Sequence, residues 1–225
     1  MKKITIGIDG PAGSGKSTVA DIIADKLGLY HLDTGAMYRT VGLKTLRCGI
    51  SHTDENAVHD MLLSTDIEVK FSDDKKQHMY LDGEDVTAHI RTNEVSRAAS
   101  DVATVKEVRE RLVALQQDIA HRYPVILDGR DVCTCVLPDA DVKIYLTADA
   151  GERARRRLTE LKQKGMDSGK TLDEMTAEII SRDKQDSERE ISPLRIADGA
   201  HIVDSTHMTV DEVCDVIIGF AGEVK

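Results

Sequence analysis

The sequence predicts a three-layer α/β/α domain built on a five-stranded parallel sheet. Short strand patterns recur along the chain: an alternation at residues 4–8, a short strand at 30–32, and short apolar runs at 125–127, 142–146 and 202–203. Segments with apolar residues at helical spacing separate or follow them, as Val19, Ile22, Ile23 and Leu27 do after the first. Strands alternating with helices build a parallel sheet covered on both faces.

The first strand rests on the alternation of Ile4, Ile6 and Ile8. A glycine-rich turn and the first helix follow. After the second strand, Asp33-Thr34 can cap a helix that starts near Ala36. Residues 67–87 break the rhythm. Ile67, Val69 and Phe71 alternate, polar residues intervene, and Met79 and Leu81 alternate again. Asp82-Gly83 then supplies a tight turn before Val86, so this stretch reads as a small antiparallel insert. A long helix follows, with Val105, Val108, Leu112, Leu115 and Ile119 on one face. There is no internal repeat, low-complexity tract or linker, and 225 residues suit one domain with a small insertion.

The chain is acidic, with 30 basic residues against 40 acidic and a formal charge of -10. Such a surface repels nucleic acid and anionic membranes, so neither is an expected partner. No apolar run is long enough to span a bilayer. The start passes directly into an alternating strand without an apolar leader, so a cytoplasmic chain is expected. Cys48, Cys133, Cys135 and Cys214 read as reduced thiols, because the Cys-Thr-Cys pair lacks a second pair of metal ligands.

The most specific motif is Gly10-Pro11-Ala12-Gly13-Ser14-Gly15-Lys16-Ser17, followed by Thr18. It fits G-x-x-x-x-G-K-[ST] between a strand and an amphipathic helix, the context of a phosphate-binding P-loop. Its glycines let backbone N–H groups turn inward, and the following helix offers its positive dipole end to phosphate. Lys16 is positioned for the β- and γ-phosphates of a nucleoside triphosphate, and Ser17 for Mg2+. The motif alone does not separate GTPases, ATPases and kinases. The Asn-Lys-x-Asp sequence usual for reading guanine is missing.

Two further segments fall at predicted strand ends, the ligand-binding edge of an open α/β sheet. They are Asp33-Thr34-Gly35-Ala36-Met37-Tyr38-Arg39 and Asp128-Gly129-Arg130-Asp131. Asp128 resembles the acidic position that holds Mg2+, directly or through water, in P-loop enzymes. Capping accounts for Asp33 and Thr34 without excluding ligand contact, and a local ion pair is the plain alternative for Arg130 and Asp131. On the helix beginning near Leu172, Leu172, Met175 and Ile179 share one face, and Arg182, Asp186 and Arg189 continue it. A charged end on the buried stripe points into a cleft, the alternative being a fraying surface end. Arg153, Arg155, Arg156 and Arg157 open another helix, with Arg153, Arg156 and Arg157 on one side. Pairing with Glu152 and Glu160 is the plain reading, and an anion the functional one.

Together these segments resemble the bacterial cytidylate kinases, a nucleoside monophosphate kinase family, over essentially the whole chain. The signatures are the P-loop with Asp9 before it, Asp33–Arg39, Asp128–Asp131, and Arg182-Asp183-Lys184-Gln185-Asp186-Ser187-Glu188-Arg189. The resemblance implies a P-loop core (1–64, 89–150 and 171–225), a monophosphate-binding insert (65–88) and a helical lid (about 151–170). It implies that Asp33, Thr34, Arg39, Arg130, Arg182 and Arg189 serve the acceptor's phosphate or ribose region, and that Asp186 binds the ribose. Ser100, Arg109 and Asp131 would read the base, and Arg153 and Arg157 would approach the donor phosphates. Lys16, Arg130, Arg153, Arg157, Arg182 and Arg189 would act in catalysis, with ATP as donor and Ser17 and Asp128 at the Mg2+. One departure is Cys133, where the family usually has Gly. If that position needs positive φ, Cys brings strain.

The implied reaction carries the γ-phosphoryl of ATP to CMP or dCMP, with no obligate protein partner and a monomeric enzyme. The acceptor phosphate is an anion near neutral pH, so positioning and charge stabilisation matter more than a strong base. A carboxylate and an arginine complement the cytosine edge: Asp131 accepts from N4, and Arg109 donates to N3 or O2. Alternatives are another acceptor such as UMP, or a nucleotide-gated binding protein that hydrolyses slowly without any acceptor.

Overall fold

The computed structural model describes residues 3–163, 165 and 169–223. Five parallel strands form the main sheet: β1 (Thr5–Asp9), β2 (Tyr30–Asp33), β6 (Val125–Gly129), β7 (Val142–Thr147) and β8 (His201–Asp204), in the order β2-β6-β1-β7-β8. The predicted three-layer, five-stranded parallel architecture is therefore the observed one. Strand alternation divides the core between two faces. Ile6, Ile8, Ile126, Ile144 and Leu146 pack beneath α1 (Lys16–Leu27) and α8 (Val210–Glu223). Leu32, Val125 and Leu127 face the opposite cluster, which includes α2 (Thr34–Cys48), α4 (Asn93–Val102) and α5 (Lys106–Arg122).

Register brings the acidic residues to one edge. Asp33 pairs with Asp128, and Asp9 with Gly129, at the carboxyl ends of three adjacent strands. In a parallel sheet every crossover returns the chain to the same end, so residues distant in sequence meet there.

β3 (Ile67–Phe71), β4 (Gln77–Leu81) and β5 (Glu84–Asp85) form a separate antiparallel sheet. Asp82 and Gly83 both adopt positive φ (51° and 83°), as a two-residue hairpin turn requires. Ile67, Met79, Leu81 and Val86 are buried in the same cluster as Met37 and Val41 of α2, so this sheet shares the main core. Phe71 also stacks edge-on against Tyr30 of β2, with ring centres 4.9 Å apart.

Two helices lie in stretches where no helix is predicted, α3 (Glu55–Leu63) and α4. The buried face of α4 is Val95, Ala98, Ala99 and Val102, whose small side chains let it approach α2 closely. α6 (Ala150–Gln163) and α7 (Leu172–Glu188) pair through Ala154, Leu161, Met175 and Ile179. Leu172 departs from its expected buried stripe and is exposed at the first turn of α7. Of the expected lid, residues 164 and 166–168 lie outside the described residues. Among the described residues no helix is long and apolar enough to cross a membrane.

Candidate active site

The P-loop joins β1 to α1 as its motif predicts. Gly10 has φ +153°, and a Cβ there would lie 2.0 Å from the Leu146 carbonyl oxygen, so only glycine fits. Gly15 caps α1 in the left-handed region. The Lys16 ammonium is buried against the loop, donating to the Pro11 carbonyl (2.7 Å) and Ser14 Oγ (3.3 Å). Burial, then the charge of Arg130, holds its pKa well below the usual lysine range.

Ser17 Oγ donates to Asp128 Oδ2 at 2.7 Å, so the helix start and the β6 end meet as expected. The other Asp128 oxygen contacts His31 Nε2 at 2.7 Å, and His31 Nδ1 contacts Asp21 at 2.8 Å. Burial opposes the imidazolium, but the two carboxylates outweigh it and raise His31 to about 10. Two hard oxygen side chains beside a phosphate loop suit Mg2+, which takes few protein oxygens and keeps water.

Asp33, not Thr34, caps α2: its carboxylate accepts from the Ala36 N–H at 2.9 Å. The Thr34 hydroxyl instead donates to the Asp128 carbonyl at 2.8 Å, locking α2 to β6. Asp33 Oδ2 holds two guanidinium groups, Arg39 at 2.7 Å and Arg91 at 3.0 Å. Burial alone would raise Asp33, but these arginines hold its carboxyl well below the usual range. No motif in the sequence marks Arg91 as a partner of Asp33. Gln77 of β4 exchanges hydrogen bonds with the Asp33 backbone, accepting from its N–H at 2.8 Å and donating to its carbonyl at 3.3 Å.

Arg130 and Asp131 do not pair with each other. Arg130 Nε donates to Asp186 Oδ2 at 2.6 Å, whereas Asp131 takes the buried Arg109 directly and Arg189 Nη2 at 3.5 Å. The half-buried positions at the end of α7 are Arg182, Asp183, Asp186 and Arg189, so the charged stripe does face inward. Burial, and then the neighbouring Arg130, lowers Arg182 to about 10, with Arg39 and Arg157 adding to the effect. Like charges gathered in a half-buried site favour an anion. Ser100 is not brought into this group by a hydrogen bond; its hydroxyl donates to the Ser96 carbonyl within α4 at 3.3 Å.

The arginines of α6 diverge. Arg153 is buried and donates to the Ala148 carbonyl (2.8 Å), the Ala12 carbonyl (2.9 Å) and Asp183 (2.6 Å). Arg156 grips Glu152 and the backbone of Ser205, and Arg157 pairs with Glu160 at 2.9 Å. A cleft of about 530 Å3 beside the P-loop is lined by Gly13, Thr18, Arg156, Arg157, Ser205 and Met208 among others.

Two acidic residues outside the expected site set hold its frame. Asp183 could have been suspected from its place beside Arg182. Asp9 ends β1 as Asp128 ends β6, and its carboxylate accepts the N–H groups of Val132 (2.8 Å) and Cys133 (2.7 Å). Burial raises Asp9 to about 6 against those hydrogen bonds. Cys133 sits in a π-helical turn (Val132–Val136) and has no positive φ, so the expected strain does not arise. Its thiol fits over Gly7, where a Cβ would come within 2.7 Å of the sulfur. Among the described residues no cluster of metal-binding side chains includes Cys133 or Cys135.

The fold and this site define a P-loop phosphotransferase. Residues 6–223 match the family model described as cytidylate kinase. A cytidylate kinase of Caldicellulosiruptor bescii is 52% identical over 218 residues, covering 97% of this chain and 95% of its own. One from Bacillus pumilus is 46% identical over 224 residues, covering 100% and 98%. The chain belongs to the cytidylate kinase family and is a nucleoside monophosphate kinase. A solved structure of an uncharacterized protein from Eubacterium ventriosum shares the fold alone, at TM-score 0.55 and 12% identity over 97% of this chain and 98% of that one.

Proposed function

We propose that this chain transfers the γ-phosphoryl group of ATP to CMP and dCMP, giving CDP and dCDP. The observation that carries the pyrimidine reading is the buried Arg109–Asp131 contact, with Arg189 on the same carboxylate. It offers an acceptor and donors side by side, the complement of the cytosine edge. Uracil would set its O4 against the Asp131 carboxylate.

The donor phosphates would lie on the P-loop from Gly10 to Thr18, with Lys16 turning from the loop carbonyl to phosphate. The donor's nucleoside would occupy the cleft beside Arg156 and Met208, whose volume suits a small molecule. Ser17 and Asp128 would hold Mg2+, which when bound neutralises phosphate charge. Arg39, Arg130 and Arg182 would bind the acceptor phosphate; Arg182 would gain an anion beside the cationic Arg130, while Asp33 and Asp186 hold Arg39 and Arg130 in place. Asp186 would hold the ribose, and Ser100 the base side. Each group acts by orienting charge, so no general base is needed.

In domain terms, residues 65–88 would form the acceptor insert and 151–170 the lid that excludes water from the transfer. Arg153 and Arg157 would follow the lid onto the donor. We read the enzyme as a cytoplasmic monomer.

ATP consumption by the purified protein, measured alone and with CMP, dCMP, UMP, AMP and GMP, tests this reading. Turnover with CMP and dCMP well above UMP is expected. Equal turnover of UMP would overturn the base assignment, and ATP loss independent of any acceptor would overturn the kinase reading of the site.

A further inference from the structure

Tyr38 lies one turn into α2, in the segment that also carries Asp33 and Arg39. Its side chain is 9% exposed, and among the described residues its hydroxyl has no hydrogen-bond partner. Buried hydroxyl groups are ordinarily paired, and one left unpaired in a dry site is unfavourable. Two other buried polar atoms beside it share the condition, Arg109 Nε and Arg189 Nη2.

The Arg109 guanidinium carbon lies 5.6 Å from the Tyr38 ring centre. The charged groups that act on the phenol are Arg109, Asp131 and Arg189, the same three that meet at the proposed base edge. Tyr38 therefore belongs with the base-side residues and not with the phosphate arginines. Burial pushes the phenol up to about 12, so it stays a neutral hydroxyl able to donate.

We propose that Tyr38 is a recognition residue for the acceptor nucleotide, its hydroxyl donating to the pyrimidine O2. This rests on the reading in which Asp131 takes the N4 amino group and Arg109 donates to N3. The remaining hydrogen-bonding atom on that edge is the O2 acceptor, which needs a donor. O2 is common to cytosine and uracil, so Tyr38 would strengthen pyrimidine binding without choosing between them.

The test is Tyr38→Phe, which keeps the ring and removes one oxygen. Calorimetric Kd values are measured for CMP and dCMP, kcat/KM for CMP and UMP, and Tm for the free protein. The expected result is weaker binding of CMP and dCMP by the same factor, about fivefold. The kcat/KM ratio of CMP to UMP stays constant, and the free protein's Tm is unchanged or raised. An unchanged Kd overturns the proposal, as does a loss confined to CMP, which would place the contact at the 2′-hydroxyl. A changed CMP/UMP ratio, or a lowered Tm of the free protein, does so too. If the wild type phosphorylates no pyrimidine monophosphate, the underlying reading fails instead; an active wild type with an unaltered Phe variant sinks this proposal alone.

Discussion

The Asp183 carboxylate accepts a hydrogen bond from the Ala12 N–H at 3.2 Å, joining α7 to the phosphate loop. The other carboxylate oxygen takes the buried Arg153 at 2.6 Å, and Arg153 in turn donates to the Ala12 carbonyl. Both backbone groups of one loop residue are thus held by a single ion pair. Asp183→Asn leaves Arg153 buried beside a neutral amide. A loss of about 1–3 kcal/mol in unfolding free energy is expected from urea titration. A change below about 0.5 kcal/mol, the level of an ordinary surface substitution, would show that the pair does not fasten the loop.

Arg189 connects the end of α7 to Asp131, and its guanidinium is almost fully buried. Arg189→Ala should reduce kcat/KM for CMP by more than about tenfold. A value within about threefold of the wild type, below roughly 1 kcal/mol, would remove Arg189 from the acceptor site.

Two glycines should respond in opposite directions. In Gly10→Ala the new Cβ would meet the Leu146 carbonyl at 2.0 Å on a backbone with φ +153°. A loss above about 3 kcal/mol, or no folded protein, is expected. Gly219 lies exposed inside α8 with nothing within 4 Å of an added Cβ. Gly219→Ala should raise stability by up to about 1 kcal/mol. Thermal unfolding of both variants checks the pair, and a Gly10 variant as stable as the wild type would contradict the loop geometry.

Asp9 gives a pH signature. Its folded pKa is raised from 3.8 to about 6 by burial, so the folded state binds its proton more tightly than the unfolded chain. That contribution is complete below pH 3.8 and is lost as pH rises through 6, on the order of 3 kcal/mol at most. Asp9→Asn loses one of two acceptors for the Val132 and Cys133 N–H groups, and is less stable throughout. Its deficit should shrink between pH 4 and pH 7, because only the wild type carries the titrating carboxyl. Urea unfolding at several pH values measures this, and a deficit that grows with pH would refute the assignment.

The helices α3 and α4 are not predicted, whereas the order of the main-sheet strands, the phosphate loop and the hairpin turn are all legible in the sequence. Each is written in short-range chemistry: alternation of Ile6 and Ile8, the glycines at 10 and 15, Asp82-Gly83 at a turn. α4 is short, yet its buried residues Val95, Ala98, Ala99 and Val102 do recur at helical spacing, the signal by which it is recognisable. The inward stripe on α7 was also legible, since helical spacing puts Arg182, Asp186 and Arg189 on the face that Met175 begins.

The sequence by itself therefore determined the phosphate loop, the sheet and the inventory of charges at its edge. Only the tertiary structure decided which charges meet. Arg130 and Asp131 are neighbours in the chain, yet Arg130 pairs with Asp186 and Asp131 with Arg109. Asp183, His31 and Asp9 joined the site for the same reason. Backbone turns and helix faces follow from a few consecutive residues. Ion pairing follows from distances between elements that only the packed sheet and helices establish.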